Sequence, residues 1–432
     1  MKAIALKFFT QNAAEMLSGP AWLNEMRRAM VEQLAEVVRP DPDEEVWRYS
    51  RVGELDLDQI APATERPTPM VPPGGQRFTN PSAVAVLQNG WITSLTLSDE
   101  AAAAGLTVGP VADLPDGQER YGAALSDPAD LFGYLNRAFG PEPLAIIVPD
   151  GVALAEPIVV TSLTDSASAV FPRIIVHCGA NAAATVVEMQ TSSAEATVVA
   201  PVLEVTVGQG ARYQHCVVQN MAADTWQFGH QAINVGQDAT AELFMAGLGG
   251  DYVRTRTDCR LVGRGAYGRL TAAYFGEDSQ TMDFRTFQDH AAPDTTSELL
   301  FKGALDGASR SIYTGLIKVR PEGTGTKAYQ TNRNIKLSPE AWAESVPNLE
   351  IETNDVMCSH ASAVSPVDEE QRFYLESRGV PTPVAERLLL EGFFAEVAEV
   401  APVPAVAEIL QEAIVAKLDR RTENLAAAQE AS

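Results

Sequence analysis

The chain is short of the groups that most catalysis and most disulfide chemistry need. Its 432 residues include five histidines and four cysteines. Cys178, Cys216, Cys259 and Cys358 form no CxxC pair and are too few for a disulfide framework at this length. No apolar run reaches the ~18 residues of a membrane span. Residues 1–10 hold two lysines but no long apolar stretch and no small-residue cleavage site, which is not the pattern of a secretion signal. The expectation is a cytoplasmic chain with reduced thiols. Positive charge is also scarce: 32 Lys and Arg stand against 57 Asp and Glu, a net charge of −25. Such a chain repels phosphate backbones and anionic bilayers, so neither nucleic acid nor membrane is an expected partner.

Catalytic motifs are missing too. There is no GxSxG and no HExxH. Gly323-Thr-Gly325-Thr-Lys327 lacks the spacing of a phosphate loop. Gly263-Arg-Gly265-Ala-Tyr-Gly268 matches GxGxxG, but a strand-like run follows it where a dinucleotide fold needs a helix, so it reads as a turn.

What the chain does have is a repeat. Cys178-Gly179-Ala-Asn-Ala, Val207-Gly208-Gln-Gly-Ala, Val235-Gly236-Gln-Asp-Ala and Val262-Gly263-Arg-Gly-Ala each follow one apolar strand and precede another. The glycines are 29, 28 and 27 residues apart, from 208 − 179, 236 − 208 and 263 − 236. Such a period marks stacked units that bury their faces only against neighbours. Frequent β-branched residues with period-two alternation make those units strands. The fold expected for residues 81–364 is a β-helix, with a Greek-key sandwich as the alternative.

Helical parts flank this core. In residues 1–80, Trp22, Leu23, Met26, Met30, Leu34, Val37 and Val38 have helical spacing between Pro20 and Pro40. The proline-rich stretch 61–75, with Gly74-Gly75, reads as a linker. Ala83 to Leu97 around Asn89-Gly90 reads as a hairpin with a primed turn, and Asp127 to Phe139 as a short helix. In residues 365–432, Ser365-Pro366-Val367-Asp368 reads as a capping box. Gly379 reads as a helix stop, and two further helices carry Ala385, Leu388, Leu389, Phe393, Phe394 and Val397, then Val406, Ile409, Leu410, Ile414 and Leu418.

Histidine and cysteine meet three times. In His177-Cys178 and His215-Cys216 they are adjacent, and adjacent strand residues face opposite ways, so these pairs read as structural. In Cys358-Ser359-His360 they are two apart and share a face. A thiolate and an imidazole there suit a soft or borderline metal, but two ligands leave a set of about four incomplete.

The same region resembles a known family. Pro347-Asn-Leu-Glu350-Ile-Glu-Thr-Asn-Asp355-Val-Met-Cys358-Ser-His360-Ala361, then Phe373-Tyr374-Leu-Glu-Ser-Arg378-Gly379, then Glu391-Gly392-Phe393, is similar to the SufB/SufD family of scaffold subunits in SUF iron–sulfur cluster assembly. Pro20-Ala-Trp22-Leu23, Glu44-Glu45-Val-Trp47-Arg48-Tyr49 and Gln330-Thr-Asn332-Arg-Asn334 extend the likeness over residues 20–400. The cysteine two residues before His360, and Ser359-His360-Ala361-Ser362 in place of Glu-His-Glu-Ala, put the chain on the SufD side. The resemblance implies a right-handed parallel β-helix between N- and C-terminal helical parts. It implies a non-catalytic subunit paired with SufB, and the ATPase SufC docked on the C-terminal helices, for which Leu388, Leu389, Phe393 and Phe394 are the anchors. It implies a transient cluster at the SufB–SufD interface, held by His360 and Cys358, with no cofactor held stably by this chain alone. Complexes of the family are associated with a flavin, and no segment here marks a flavin site. The family usually has glycine after the histidine; Ala361 fits that place without strain only on backbone with negative φ. The rival readings are a carbohydrate-active β-helix enzyme using Asp251, Asp258 or Asp283, and a structural partner with no ligand residue.

Overall fold

A computed structural model describes residues 6–71, 77–193 and 195–430, with side chains described to residue 424. The Gly74-Gly75 pair lies outside the described residues. The chain is a parallel β-solenoid with helices at both ends of the sequence. Successive strands fall alternately into two facing sheets. The first sheet runs from the antiparallel hairpin Ala83–Gln88 and Trp91–Leu97 through Ile158–Thr164, Ala183–Ser192, Arg212–Asn220, Thr240–Gly247, Tyr267–Gly276, Thr296–Leu305 and Thr326–Lys336 to Val356–Pro366. The second runs from Thr107–Pro110 and Leu144–Val148 through Arg173–Cys178, Val202–Val207, Thr225–Val235, Tyr252–Leu261, Thr281–His290 and Arg310–Val319 to Trp342–Ile351. A Greek-key sandwich is excluded, because these long ladders are parallel.

The period-two alternation sends one face of each strand into a common lumen. Leu243, Leu270 and Leu299 stack there in register, from coil to coil, among the buried core residues. The repeat glycines sit at one corner, and their lack of a side chain is required. A Cβ on Gly263 would stand 2.0 Å from the Gln237 amide nitrogen of the preceding coil, and one on Gly208 2.8 Å from that of Ala180. Two residues further on, each coil turns through a left-handed residue: Gly151, Asn181, Gly210, Asp238, Gly265, Asp294 and Gly325 all have positive φ. Glycine alternates with Asn or Asp for a physical reason. The Asn181, Asp238 and Asp294 Oδ1 atoms lie 2.5, 2.4 and 2.5 Å from where a Cβ on Gly210, Gly265 and Gly325 would be. A short polar side chain tolerates the left-handed region and fills the next coil's corner, where only glycine then fits. The GxGxxG segment is one of these corners.

The hairpin turn is as expected, with Asn89 at φ 52° and Gly90 at 87°. The N-terminal helix is Ala21–Leu34; its Leu23, Met30 and Leu34 are buried. With Leu131–Phe139, capped by Asp130, it covers the outer face of the second sheet, where Phe132 stacks on Phe228 at 3.5 Å. The segment after it crosses that sheet: Trp47 packs under the Arg254 guanidinium, Arg51 pairs with Asp251 at 2.7 Å, and the Tyr49 ring lies 5.5 Å from Trp342 on the last strand.

At the C-terminal side the expected helix start moves. Ile335 and Lys336 hold Ser365 and Pro366 in the ladder, so the strand continues to Pro366. Asp368 is the cap instead, its carboxylate accepting from the Glu370 and Gln371 amides, and the helix is Glu369–Ser377. Gly379 follows with φ 87°. The helices Thr382–Ala398 and Pro404–Glu430 lie on the outer face of the first sheet, where Leu390, Phe394, Val406, Leu410, Ile414 and Leu418 bury against Cys216, Phe244 and Phe275. Two lysines clamp the contact: Lys302 Nζ donates to the Phe393 carbonyl at 2.8 Å and pairs with Glu396, and Lys417 pairs with Glu277.

Replacing Gly210 by alanine should cost about 1–3 kcal/mol, since it combines positive φ with a steric clash. Asp238→Gly, at the alternate corner, should stay within about 1 kcal/mol of wild type. Urea unfolding of the two variants checks the difference.

Candidate functional site at the open end of the solenoid

The two ends of the solenoid differ. Each sheet begins with an antiparallel strand, Trp91–Leu97 in the first and Thr107–Pro110 in the second. Each sheet ends on a strand with no further neighbour among the described residues, Val356–Pro366 and Trp342–Ile351. Both final strands are half-buried to exposed along their whole length. Their outer edges offer unpaired backbone donors and acceptors in a row. The lumen opens here as well: Leu349 and Ile351, in register with the buried Ile317 and Val319, are 41% and 40% exposed.

Cys358 and His360 both sit on this last strand, Val356–Pro366. Cys358 is in register with Ala328 and packs against the buried Ile317, Val319 and Ala328, which fixes its face as inward. By alternation His360 shares that face, in register with Gln330. The two are therefore brought together on one face as their spacing implied, Cys358 half-buried and His360 exposed. Partial burial pushes the Cys358 thiol up. Ala361 pairs with Thr331 in the ladder and is absent from the positive-φ residues, so alanine there is unstrained. Glu350, an acidic neighbour in sequence, pairs with Lys318 at 2.6 Å. Among the described residues, no group of three or more His, Cys, Asp or Glu is placed to hold a metal ion.

The other thiols are elsewhere. Cys178, Cys216 and Cys259 are buried, and burial pushes each up to about 12. The adjacent pairs split across the strand as expected: His215 is in the lumen, its Nδ1 2.7 Å from the Tyr213 hydroxyl, while Cys216 faces the C-terminal helices. The three aspartates of the carbohydrate-enzyme reading are spoken for. Asp251 accepts from Trp226 Nε1 at 2.8 Å as well as from Arg51. Asp258 pairs with His230 and Arg256, and the fully buried Asp283 with Arg254 and Tyr252. No helix is long and apolar enough to cross a membrane among the described residues.

The four anchors on Thr382–Ala398 divide. Leu388 is 47% exposed, Leu389 and Phe393 are half-buried, and Phe394, at 2%, belongs to the chain's own core. Beside them lies a cavity of about 640 Å³ between the end of the last strand and this helix, lined by Arg333, Ser365, Asp368, Leu388, Leu389 and Phe393 among others. Two aromatics that the sequence reading did not choose stand out on the preceding helix: Phe373 and Tyr374 are 70% and 58% exposed.

Among the described residues, the parallel β-solenoid thus ends on an uncovered edge whose last strand carries a cysteine and a histidine. The chain's sequence gives it a family: the model for the SufBD core domain of SUF-system iron–sulfur cluster assembly matches residues 160–393. That is more than half of the chain, which belongs to this family. It is 39% identical over 225 residues to an iron–sulfur cluster assembly SufBD family protein of Mycobacterium bovis, a match covering 50% of this chain and 57% of that relative. The chain thus spans little more than half the length of this relative. It is 27% identical over 287 residues to the iron–sulfur cluster assembly protein SufD of Escherichia coli, covering 65% and 68% of the two chains. It is 26% identical over 399 residues to the chloroplastic protein ABCI7 of Arabidopsis thaliana, covering 88% and 83%.

Alkylation of the native chain should modify Cys358 first. Cys178, Cys216 and Cys259 should react only after denaturation. The Cys358 rate should climb as pH rises through 9, since the thiolate reacts and burial has moved its pKa upward. Mass spectrometry of the timed digest checks the order.

Proposed function

We infer that this chain is a SufD-type scaffold, which pairs end to end with a second, similar solenoid of the SufB kind and carries a SufC-type ATPase on its C-terminal helices. The carrying observation is that, among the described residues, both sheets stop uncovered at the same end, and the last strand of the first sheet holds both Cys358 and His360. A partner that adds strands to these edges satisfies their backbone groups and closes the lumen. It also places its own side chains opposite His360. An incomplete ligand set on one chain then becomes complete at the seam, where the iron–sulfur cluster is cargo. The chain supplies ligands and geometry, and no turnover of its own.

The ATPase surface in this reading is Leu388, Leu389 and Phe393 along the 640 Å³ cavity, with the exposed Phe373, Tyr374 and Val384 on the same two helices. Phe394 supports that surface from below. Movement there has a stiff route to the seam, because Lys302 and Lys417 fasten the helices to the first sheet and the sheet ends on His360's strand.

In a purified complex with its partner, His360→Ala should cut the yield of reconstituted cluster by roughly ten-fold or more while the complex stays intact; an unchanged yield in an intact complex contradicts the reading. Separately, Leu388→Asp together with Phe373→Asp should abolish co-purification of the ATPase and change stability by less than about 0.5 kcal/mol per site. Phe394→Ala should instead cost about 3–5 kcal/mol in unfolding experiments.

A further inference from the structure

The lumen near the open end is polar. Gln330, Asn332 and Asn334 alternate inward on Thr326–Lys336, and each is buried. The two asparagines are satisfied. Asn332 Nδ2 donates to the Tyr274 hydroxyl at 3.1 Å, Asn334 Nδ2 donates to Asn332 Oδ1 at 2.9 Å, and the Tyr274 hydroxyl donates to Asn334 Oδ1 at 2.8 Å. Gln330 is different: neither its Nε2 nor its Oε1 has a hydrogen-bond partner among the described residues. A buried orphan of this kind costs about 1–3 kcal/mol per group and calls for an explanation. Its place is a built one. A Cβ on Gly315, across the lumen, would lie 2.5 and 2.6 Å from Gln330 Nε2 and Oε1, so the carboxamide fills the space that this glycine leaves.

The next residue along the lumen, in register with Gln330 and on the same inward face, is His360. No hydrogen bond or ion pair of His360 is found among the described residues. An imidazole that serves as a ligand needs one bare nitrogen, and its other N–H is ordinarily held by an acceptor, which fixes the tautomer and aims the ring. We propose that Gln330 is the positioning residue for His360: its Oε1 accepts the ring N–H and leaves the other ring nitrogen bare towards the mouth. In this structure the carboxamide lies against Gly315 and no hydrogen bond joins it to His360, so the bond requires the amide to turn towards the neighbouring strand; the proposal rests on register, burial and the unpaired amide, and on the assembly-site reading for its purpose.

The test uses the full chain labelled with ¹⁵N-histidine, the His360 signals being assigned by their loss in His360→Ala. At pH 8 the wild type should show one dominant tautomer. Gln330→Met keeps length and volume but has no acceptor, and should give mixed tautomers. Gln330→Glu keeps an acceptor and should preserve the wild-type pattern. Gln330→Met should unfold no earlier than wild type, because it removes two unpaired polar atoms; Gln330→Leu is the second apolar variant, read in the same way. In the complex with the partner, Gln330→Met should lower retained iron roughly ten-fold and Gln330→Glu should restore it. Ring signals that ignore Gln330→Met and Gln330→Leu overturn the proposal, even where His360→Ala lowers cluster yield. Ring signals that respond, with cluster yield indifferent to His360→Ala, uphold the contact and sink the assembly reading alone.

Discussion

A parallel ladder has no natural end, and everything distinctive about this chain follows from how its ladders are ended. Each coil satisfies the backbone of the coil before it and presents the same demand to the next. At the first end an antiparallel strand on each sheet breaks the series. At the other end, among the described residues, the series simply stops, with a half-open lumen and two bare strand edges. Exposed edges of this kind are an aggregation hazard unless a partner covers them. Cys358 and His360 both lie on one of these edge strands, Val356–Pro366.

The rest of the molecule makes that end firm enough to be useful. The corner series of glycine alternating with Asn or Asp sets the stacking of the coils, each side chain filling the corner of the next coil. It does not continue at Asp355, the residue in register with Gly325, which is not among the positive-φ residues. The N-terminal segment reaches across the second sheet and lays Tyr49 against Trp342, on one final strand. The C-terminal helices are fastened to the outer face of the first sheet, which carries the other final strand. The two helical parts thus grip opposite sheets and, among the described residues, leave the outer strand edges of the end face unpaired.

Much of this was legible in the chain. The 27–29-residue glycine period has a steric cause, and a steric requirement leaves a mark on sequence: Gly208 and Gly263 admit no Cβ. The Asn89-Gly90 turn was readable for the same reason, since both residues take positive φ. Cys358 and His360 sharing a face followed from strand period alone. What was hidden depends on tertiary context. Ser365-Pro366 has the local chemistry of a helix start, but the ladder to Ile335 and Lys336 overrides it, and Asp368 becomes the cap. Leu388 and Leu390 are equally apolar, yet only Leu390 meets the sheet. Gln330 carries no sign in sequence of being buried and unpaired; its state depends on Gly315, fifteen residues earlier and across the lumen.

The seam between two solenoids proposed for the end face is open to direct measurement. Hydrogen–deuterium exchange on the chain alone and in complex with its partner tests it most directly. The amides of Trp342–Ile351 and Val356–Pro366 should exchange fast in the isolated chain and become strongly protected in the complex, with little change in the strands that open each sheet. Protection elsewhere, with these two strands exchanging as fast in the complex as in the isolated chain, would contradict the account.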